Sequence, residues 1–506
     1  METVKTLGKI IVLFVTVGLL TVSCSKGGDG PYNGPVIPGA KGEPKEIKFY
    51  DLYARKDGVT VRYYKNAKYE TSEGPITEKF LLFQEKDGPV RELTATSQKD
   101  TLINGTNHHL YVYEIRGMKE NIPFSFTYRY RWQKTTTESI PFMSKERYNG
   151  RTCMGILPVI YVSPDGSPDA DGLTWGTAVD RIQTAYDILY DLAYEANPYY
   201  PQEDKVFKGE IDRDSLWKRF QWEIRVKEGV YMAGEAEKEY KNKENVRYTG
   251  GFAGNETDAN PHGSGKSIID GGGTMPLYRG NGYFKNFIFR NGKGANTAAG
   301  RYRSSSPIII SLAEFEDCEF RNNFNPDNSS WPGTHGDGGA IFIMNRGTGE
   351  GYKITDNKLD EKYPASIFRN CVFDNNECKG YSGCGGAVAM MEFNRTQFYD
   401  CTFSGNKASI GMGGAIRTLM NNQIELYGCI FENNTSVNGC AILNEYFKVI
   451  SKNTIYRSNE CRWWPDNTPN TTSGVIEVAQ PSHWEDLGGN VFENNIGKQI
   501  KYNPID

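Results

Sequence analysis

The sequence has no surplus of either charge: 58 Lys+Arg stand against 62 Asp+Glu, a formal net charge of −4 and a pI near 5.9. Without a basic excess there is no global electrostatic pull toward nucleic acid or an anionic membrane face, so nucleic acid is not an expected partner. The chain also lacks a hydrophobic run long enough to span a bilayer. Its one sustained apolar stretch, Ile10 to Leu20, falls short of the roughly 20 residues a spanning helix needs. No two cysteines are separated by two residues, so the commonest zinc-ligand spacing is missing and no metal is expected.

What is present begins with that apolar stretch, which follows Lys5 and Lys9 and ends at Thr21-Val22-Ser23-Cys24. The layout is that of an export signal. It resembles a bacterial lipoprotein signal, which implies residues 1–24 as a signal peptide and Cys24 as the acylated residue. Ser25 to Gly30, with Lys26 and Asp29, is similar to the tethers of Bacteroidota lipoproteins. This implies a lipid-anchored protein of the outer membrane, exposed at the cell surface and held by burial of acyl methylenes, each worth roughly 0.8 kcal/mol.

Residues 25–45 are rich in Gly and Pro without an apolar period and read as a flexible tether. Between 46 and 150, aromatic and β-branched runs alternate and are broken by turn pairs such as Asp57-Gly58 and Asp87-Gly88. About seven such strands in roughly 100 residues predict a small β-sandwich spacer of immunoglobulin-like type. From Leu157 the pattern changes to a strand at Val159–Val162, an Asp/Gly/Pro loop, and an amphipathic helix from Ala178 with Val179, Ile182, Ala185, Ile188 and Leu189 on one face.

The 55 glycines exceed the usual ~7% and belong partly to a repeat. Cys318-Glu-Phe320-Arg-Asn-Asn323, Cys371-Val-Phe373-Asp-Asn-Asn376, Cys401-Thr-Phe403-Ser-Gly-Asn406 and Cys429-Ile-Phe431-Glu-Asn-Asn434 share one template. Each is followed by a second: Gly338-Gly339-Ala340-Ile341, Gly385-Gly386-Ala387-Val388, Gly413-Gly414-Ala415-Ile416 and Gly439-Cys440-Ala441-Ile442. Two motifs recurring in a fixed order define a solenoid whose coils stack at the strand spacing, about 4.8 Å, so that like residues form columns. Cys and Phe, two apart, are expected on the inward face of a strand. Asn is expected at the turn, where it tolerates the left-handed region and bonds along the stack, and Gly-Gly is expected to turn the backbone with positive φ.

The pairing of GGAI with FxxN is similar to the repeats of polymorphic outer-membrane proteins, a β-helix class that includes adhesins. The strand, loop and helix from Leu157 resemble the opening of the pectin-lyase-like superfamily. Together they imply an all-β fold, a right-handed parallel β-helix over 157–506 whose first coil is capped by the helix. The stacked positions carry over to the cysteines. Cys318, Cys371, Cys401 and Cys429 share one column, their side chains point in parallel, and they are expected as buried free thiols. Cys378 and Cys384 are close enough in sequence for a bridge within their loop.

Counting outward from the second template places Arg417, Glu392, Glu445 and Tyr446 as neighbours on one solvent-facing side, an acid, a base and an aromatic ring able to grip a sugar chain. A solvated charge cluster has the same pattern. Met344, Met391 and Leu419 read as an apolar patch under a covering element. Trp331, His335 and Asp337 in WPGTHGDGGAIF form a second candidate, with turn chemistry as the alternative. Asp270 is expected to end a strand at a tight turn.

The expected function is surface binding of a polysaccharide or of a host glycan or protein, as a glycan-binding protein or adhesin. The alternatives are a polysaccharide lyase or glycoside hydrolase acting on acidic polysaccharide, and a structural surface protein. The Asn-Thr-Asp and Asp-Asp motifs of hydrolases on this fold are missing. So is the Arg-x-Pro-x-x-Arg stretch of the Ca²⁺-dependent lyases, leaving no cofactor expected unless a lyase activity brings Ca²⁺.

Overall fold

The computed structural model describes residues 47–152, 159–196, 223–233, 246–294 and 306–502, with breaks that include 327–337, 345–353, 360–364, 380–384, 392 and 420. Cys24, Trp331, His335, Asp337, Cys384 and Glu392 therefore lie outside the described residues, as do 1–24 and 25–45.

The chain opens with two antiparallel sheets. One contains Gly58–Asn66 and Thr106–Arg116, the other Ile76–Glu85 and Phe124–Trp132. Alternation puts Val59, Val61, Tyr111 and Tyr113 on the buried side of the first and Leu81, Phe83, Phe126 and Tyr128 on that of the second, where they form one core. The result is the small β-sandwich expected there.

From Val159 the architecture is a parallel β-helix. Strands stack into sheets of ten, nine and eight, running from Val159–Val162 to Trp484–Asp486, from Gly229–Met232 to Val491–Glu493, and from Tyr278–Arg279 to Lys498–Tyr502. Each repeat coil visits the first sheet, the second, a short corner strand and the third. The corner strands form a fourth, five-stranded sheet of two-residue pieces: Phe324–Asn325, Glu377–Cys378, Lys407–Ala408, Thr435–Ser436 and Glu460–Cys461.

The helix Ile182–Ala196 closes the first coil, with Ala185, Ile188 and Leu189 buried against Ile160, Val162 and Ile224. It starts later than the apolar spacing suggests. Trp175–Thr177 is a short 3₁₀ turn capped by Thr174, and Val179 bridges in parallel to Val162 instead of joining the helix.

The repeat template divides its labour more finely than the sequence pattern shows. The residue before each ladder cysteine holds left-handed backbone: Asp317, Asn370 and Asp400 at φ 54, 49 and 52°, with Gly428 at 66°. A second left-handed residue follows the Phe: Asn322, Asn375 and Asn433 at 52, 52 and 55°, with Gly405 at 62°. Asn, Asp and Gly are the residue types that adopt this region at least cost, which is why they alternate at these two corners. The next residue, always Asn, is buried and bonds along the axis. Asn376 Nδ2 donates to Asn406 Oδ1 at 2.9 Å, and Asn406 Nδ2 to Asn434 Oδ1 at 3.0 Å.

Columns of aromatic rings fill the interior. Phe320, Phe373, Phe403, Phe431, Tyr456 and Phe492 stack face to face at centroid separations of 4.7, 4.5, 4.5, 5.3 and 4.7 Å, set by the coil spacing. Cys318, Cys371, Cys401 and Cys429 form a parallel column of buried free thiols. Cys401 Sγ donates to the carbonyls of Tyr399 at 3.3 Å and Phe368 at 3.5 Å, and its neighbours make equivalent contacts. Burial pushes the Cys318 and Cys401 thiols well above their usual range.

The glycine pair has a different cause from the one its sequence suggests. Gly413 and Gly439 have φ of 81 and 59°, but Gly338, Gly385 and the second glycines, Gly339, Gly386 and Gly414, do not have positive φ. What requires the second glycine is close approach between coils. A Cβ on Gly339, Gly386 or Gly414 would stand 1.9, 1.9 or 2.0 Å from the carbonyl oxygen of the next coil. The fourth copy breaks the rule with Cys440, which is disulfide-bonded to Cys461 across a Cα separation of 4.9 Å. Cys378 is also disulfide-bonded.

Candidate functional site

The outward column of the third sheet runs Ile309, Phe342, Ala389, Arg417, Leu443, Glu477. The structure brings Arg417 and Glu445 together, Nη2 to Oε1 at 2.5 Å, with Tyr446 exposed beside them. It does not leave Arg417 facing solvent. The side chain is 7% accessible, every member of its column is buried, and Met391 and Leu419 join Ile309, Phe342 and Ala389 in a separate apolar cluster flanked by Met344. Outward alternation there leads under cover, and the solvent-facing expectation is corrected on that ground. Arg417 Nε and Nη1 are buried without a hydrogen-bond partner, and burial pulls the guanidinium below its usual range, which Glu445 only partly offsets. Asp270 is the strand-ending turn residue expected, accepting from Gly272 N at 2.9 Å and Arg290 Nε at 2.6 Å.

A second constellation, unmarked by the repeat template, lies on the corner sheet. In its two-residue strands one residue points in and its neighbour points out, so Cys378 and Ala408 are buried while Glu377, Lys379, Lys407 and Ser409 line the outside. After Cys461 the chain leaves the stack in a tight excursion. Trp463 N donates to Thr468 O and Asn467 N to Trp463 O, both at 2.8 Å, and Arg462 Nη1 holds the Asn467 carbonyl at 2.9 Å. The Cys440–Cys461 bridge pins the base of this turn to the coil below. Trp463 and Trp464 are left 46% and 56% exposed.

Between this turn and the corner strands lies a cavity of about 620 Å³, whose lining includes the two tryptophans, Lys379, Lys407, Ser409 and Thr435. It falls within the range typical of small-ligand sites, about 300–1,000 Å³. Glu377, its one described carboxylate, accepts from Ser409 Oγ. Arg462 is neutralised by Glu460 at 2.6 Å. Lys379 stands over the Phe324 ring, Nζ 5.2 Å from the centroid, and Lys407 is exposed; neither ammonium has an ion-pair partner among the described residues. The groove thus offers two indole faces, two available cations and the Thr435 hydroxyl. The available signal was the stretch Arg462-Trp463-Trp464-Pro465-Asp466-Asn467, adjacent tryptophans in a polar, turn-forming context where no repeat position requires them.

Among the described residues no group of three or more His, Cys, Asp or Glu side chains gathers as a metal site. The fold and groove define an all-β parallel β-helix with a cleft built on its corner sheet. No family model, curated protein or solved structure matches the chain.

Proposed function

We propose that this protein is a cell-surface glycan-binding protein, a lipoprotein anchored through Cys24 and presenting the Trp463/Trp464 groove to a polysaccharide or host glycan. The observation that carries this reading is the exposure of two adjacent indoles at a cavity with polar lining residues. Large apolar side chains held half out of water at a cleft are costly unless something covers them, and sugar rings present the apolar C–H faces that indoles take up. Binding is favoured over cleavage because the groove's described carboxylate is already engaged by Ser409, whereas glycoside hydrolysis uses two carboxylates free to work on either side of the bond. The export-signal pattern around Lys5, Lys9 and Ile10–Leu20 supports the anchored location, and the GGAI/FxxN pairing supports kinship with polymorphic outer-membrane-protein repeats in the pectin-lyase-like superfamily.

The test is a glycan array probed with the full ectodomain and with Trp463→Ala/Trp464→Ala. Loss of both indoles should reduce retained signal by at least about tenfold, the scale of a lost aromatic hot spot. Signal undiminished in the double variant would remove the groove from the function.

A further inference from the structure

Resting on that reading, we propose that the groove is selective for acidic glycans, chains bearing carboxylate or sulfate groups, with Lys379 and Lys407 as the anion-binding residues and Trp463 and Trp464 as the ring platform.

The coil geometry makes the arrangement. Glu377 pairs in register with Lys407, and Cys378 with Ala408, so Lys379 and Lys407 project outward from adjacent coils, offset by one pleat along the corner sheet. A chain lying across the coils meets one ammonium and then the other, with the Trp turn of the coil above Thr435 standing at the far end. The local charge runs against that of the whole molecule. The chain carries a net charge of −4, yet the groove lining has Lys379, Lys407 and Arg462 against Glu377 alone.

Pairing decides which of these charges a ligand can use. Arg462 is committed to Glu460 and to the Asn467 carbonyl, so its role is to shape the Trp turn. Lys379 and Lys407 are solvated cations at the rim of an apolar wall, where an anion can be met without breaking an existing ion pair. A neutral sugar would satisfy the indoles and leave both ammonium groups unused. An acidic peptide would meet the ammonium groups and leave the indole faces without rings to cover. A ligand whose rings present apolar C–H faces and carry regularly placed anions uses both features, which is the chemistry of uronate-rich and sulfated polysaccharides.

The experiment measures affinity of the full ectodomain for four probes of matched length: oligogalacturonate, sulfated dextran, uncharged dextran and oligoglutamate. Wild type should bind the two acidic saccharides on the order of tenfold more tightly than uncharged dextran, the scale of one or two charge-assisted hydrogen bonds. That preference should fall as ionic strength rises from about 0.05 to 0.5 M, because exposed charges are screened within the Debye length. Lys379→Gln/Lys407→Gln should lose the preference and its salt dependence while keeping the thermal midpoint. Carboxylated and sulfated probes differing from one another would name the source of the anion within the same proposal. Uncharged dextran binding as tightly as the acidic chains, with no salt effect, would overturn the selectivity and leave the glycan-binding reading intact. Oligoglutamate binding as tightly as oligogalacturonate would overturn it in favour of an acidic protein partner. Failure of every saccharide to bind would remove both.

Discussion

Asn406 occupies a relay between two coils: its Oδ1 accepts from Asn376 Nδ2 at 2.9 Å and from Asn376 N at 3.1 Å, while its Nδ2 donates to Phe373 O at 2.9 Å and Asn434 Oδ1 at 3.0 Å. Removing the side chain takes a bond from Asn376 Nδ2, Phe373 O and Asn434 Oδ1 and leaves the buried Asn376 N–H without its acceptor, at about 1 kcal/mol for each lost bond and about 1–3 kcal/mol for the orphaned donor. Asn406→Leu should therefore destabilise the helix by roughly 3 kcal/mol or more in denaturant unfolding. Asn375→Ala, one coil away at an exposed left-handed corner, should cost only about 1 kcal/mol. Equal effects would show that the buried column carries no special share of stability.

Gly386 and Gly405 separate two reasons for glycine. A methyl on Gly386 would meet Gly414 O at 1.9 Å, backbone against backbone with nothing able to swing aside. Gly386→Ala should cost several kcal/mol, at the severe end of single substitutions. Gly405→Asn should be nearly neutral, because Asn322, Asn375 and Asn433 hold the same corner at similar φ and the nearest obstacle is the movable Asn375 side chain. Urea midpoints of the two variants decide between close approach and backbone conformation.

Arg417 is better understood as a covered cation than as a ligand residue. Two of its nitrogens are buried without partners, and its neighbours in the column are Ala389 and Leu443. Arg417→Met should leave stability within about 1 kcal/mol of wild type or raise it, whereas Glu445→Ala, which strands the guanidinium, should cost about 3 kcal/mol. Glycan affinity should be unchanged in Arg417→Met. A loss of binding without a loss of stability would return the site to this face.

Glu256 gives the fold an acid-sensitive anchor. Burial opposes its ionisation, but N–H groups of Ala253, Gly254 and Asn255 at 2.6, 2.8 and 3.0 Å outweigh burial and lower its pKa from 4.5 to about 2. Its carbonyl also accepts from Trp175 Nε1, tying in the loop beside the first coil. Because the folded value is depressed, the stabilisation is complete above about pH 4.5 and is lost as pH falls toward 2. The stability gap between wild type and Glu256→Gln should be largest at pH 7 and close between pH 4.5 and 2; a gap independent of pH would contradict this.

The stacking itself was legible because identical side chains repeat in columns: the Cys and Phe positions point inward as their two-residue spacing requires. The capping face of Ala185, Ile188 and Leu189 was legible for the same reason of period. Positive φ holds at Gly413 and Gly439, but the second glycine of the pair answers to close approach between coils, which leaves no mark in sequence that distinguishes it from positive φ. The column of Arg417 and its pairing with Glu445 are legible in the repeat, but alternation says only which way a side chain points, and what covers it comes from elsewhere in the chain. The Trp463/Trp464 groove is not legible in the repeat, because it is made by a departure from it. The Cys440–Cys461 bridge joins residues 21 apart that only the coil geometry brings together.

The most direct measurement is a crystal structure of the protein with bound oligogalacturonate. A sugar ring against the Trp463 or Trp464 indole, with a carboxylate within hydrogen-bonding distance of the Lys379 or Lys407 ammonium, is the expected result. A saccharide seated on the third sheet beside Tyr446, with the tryptophan groove empty, would contradict it.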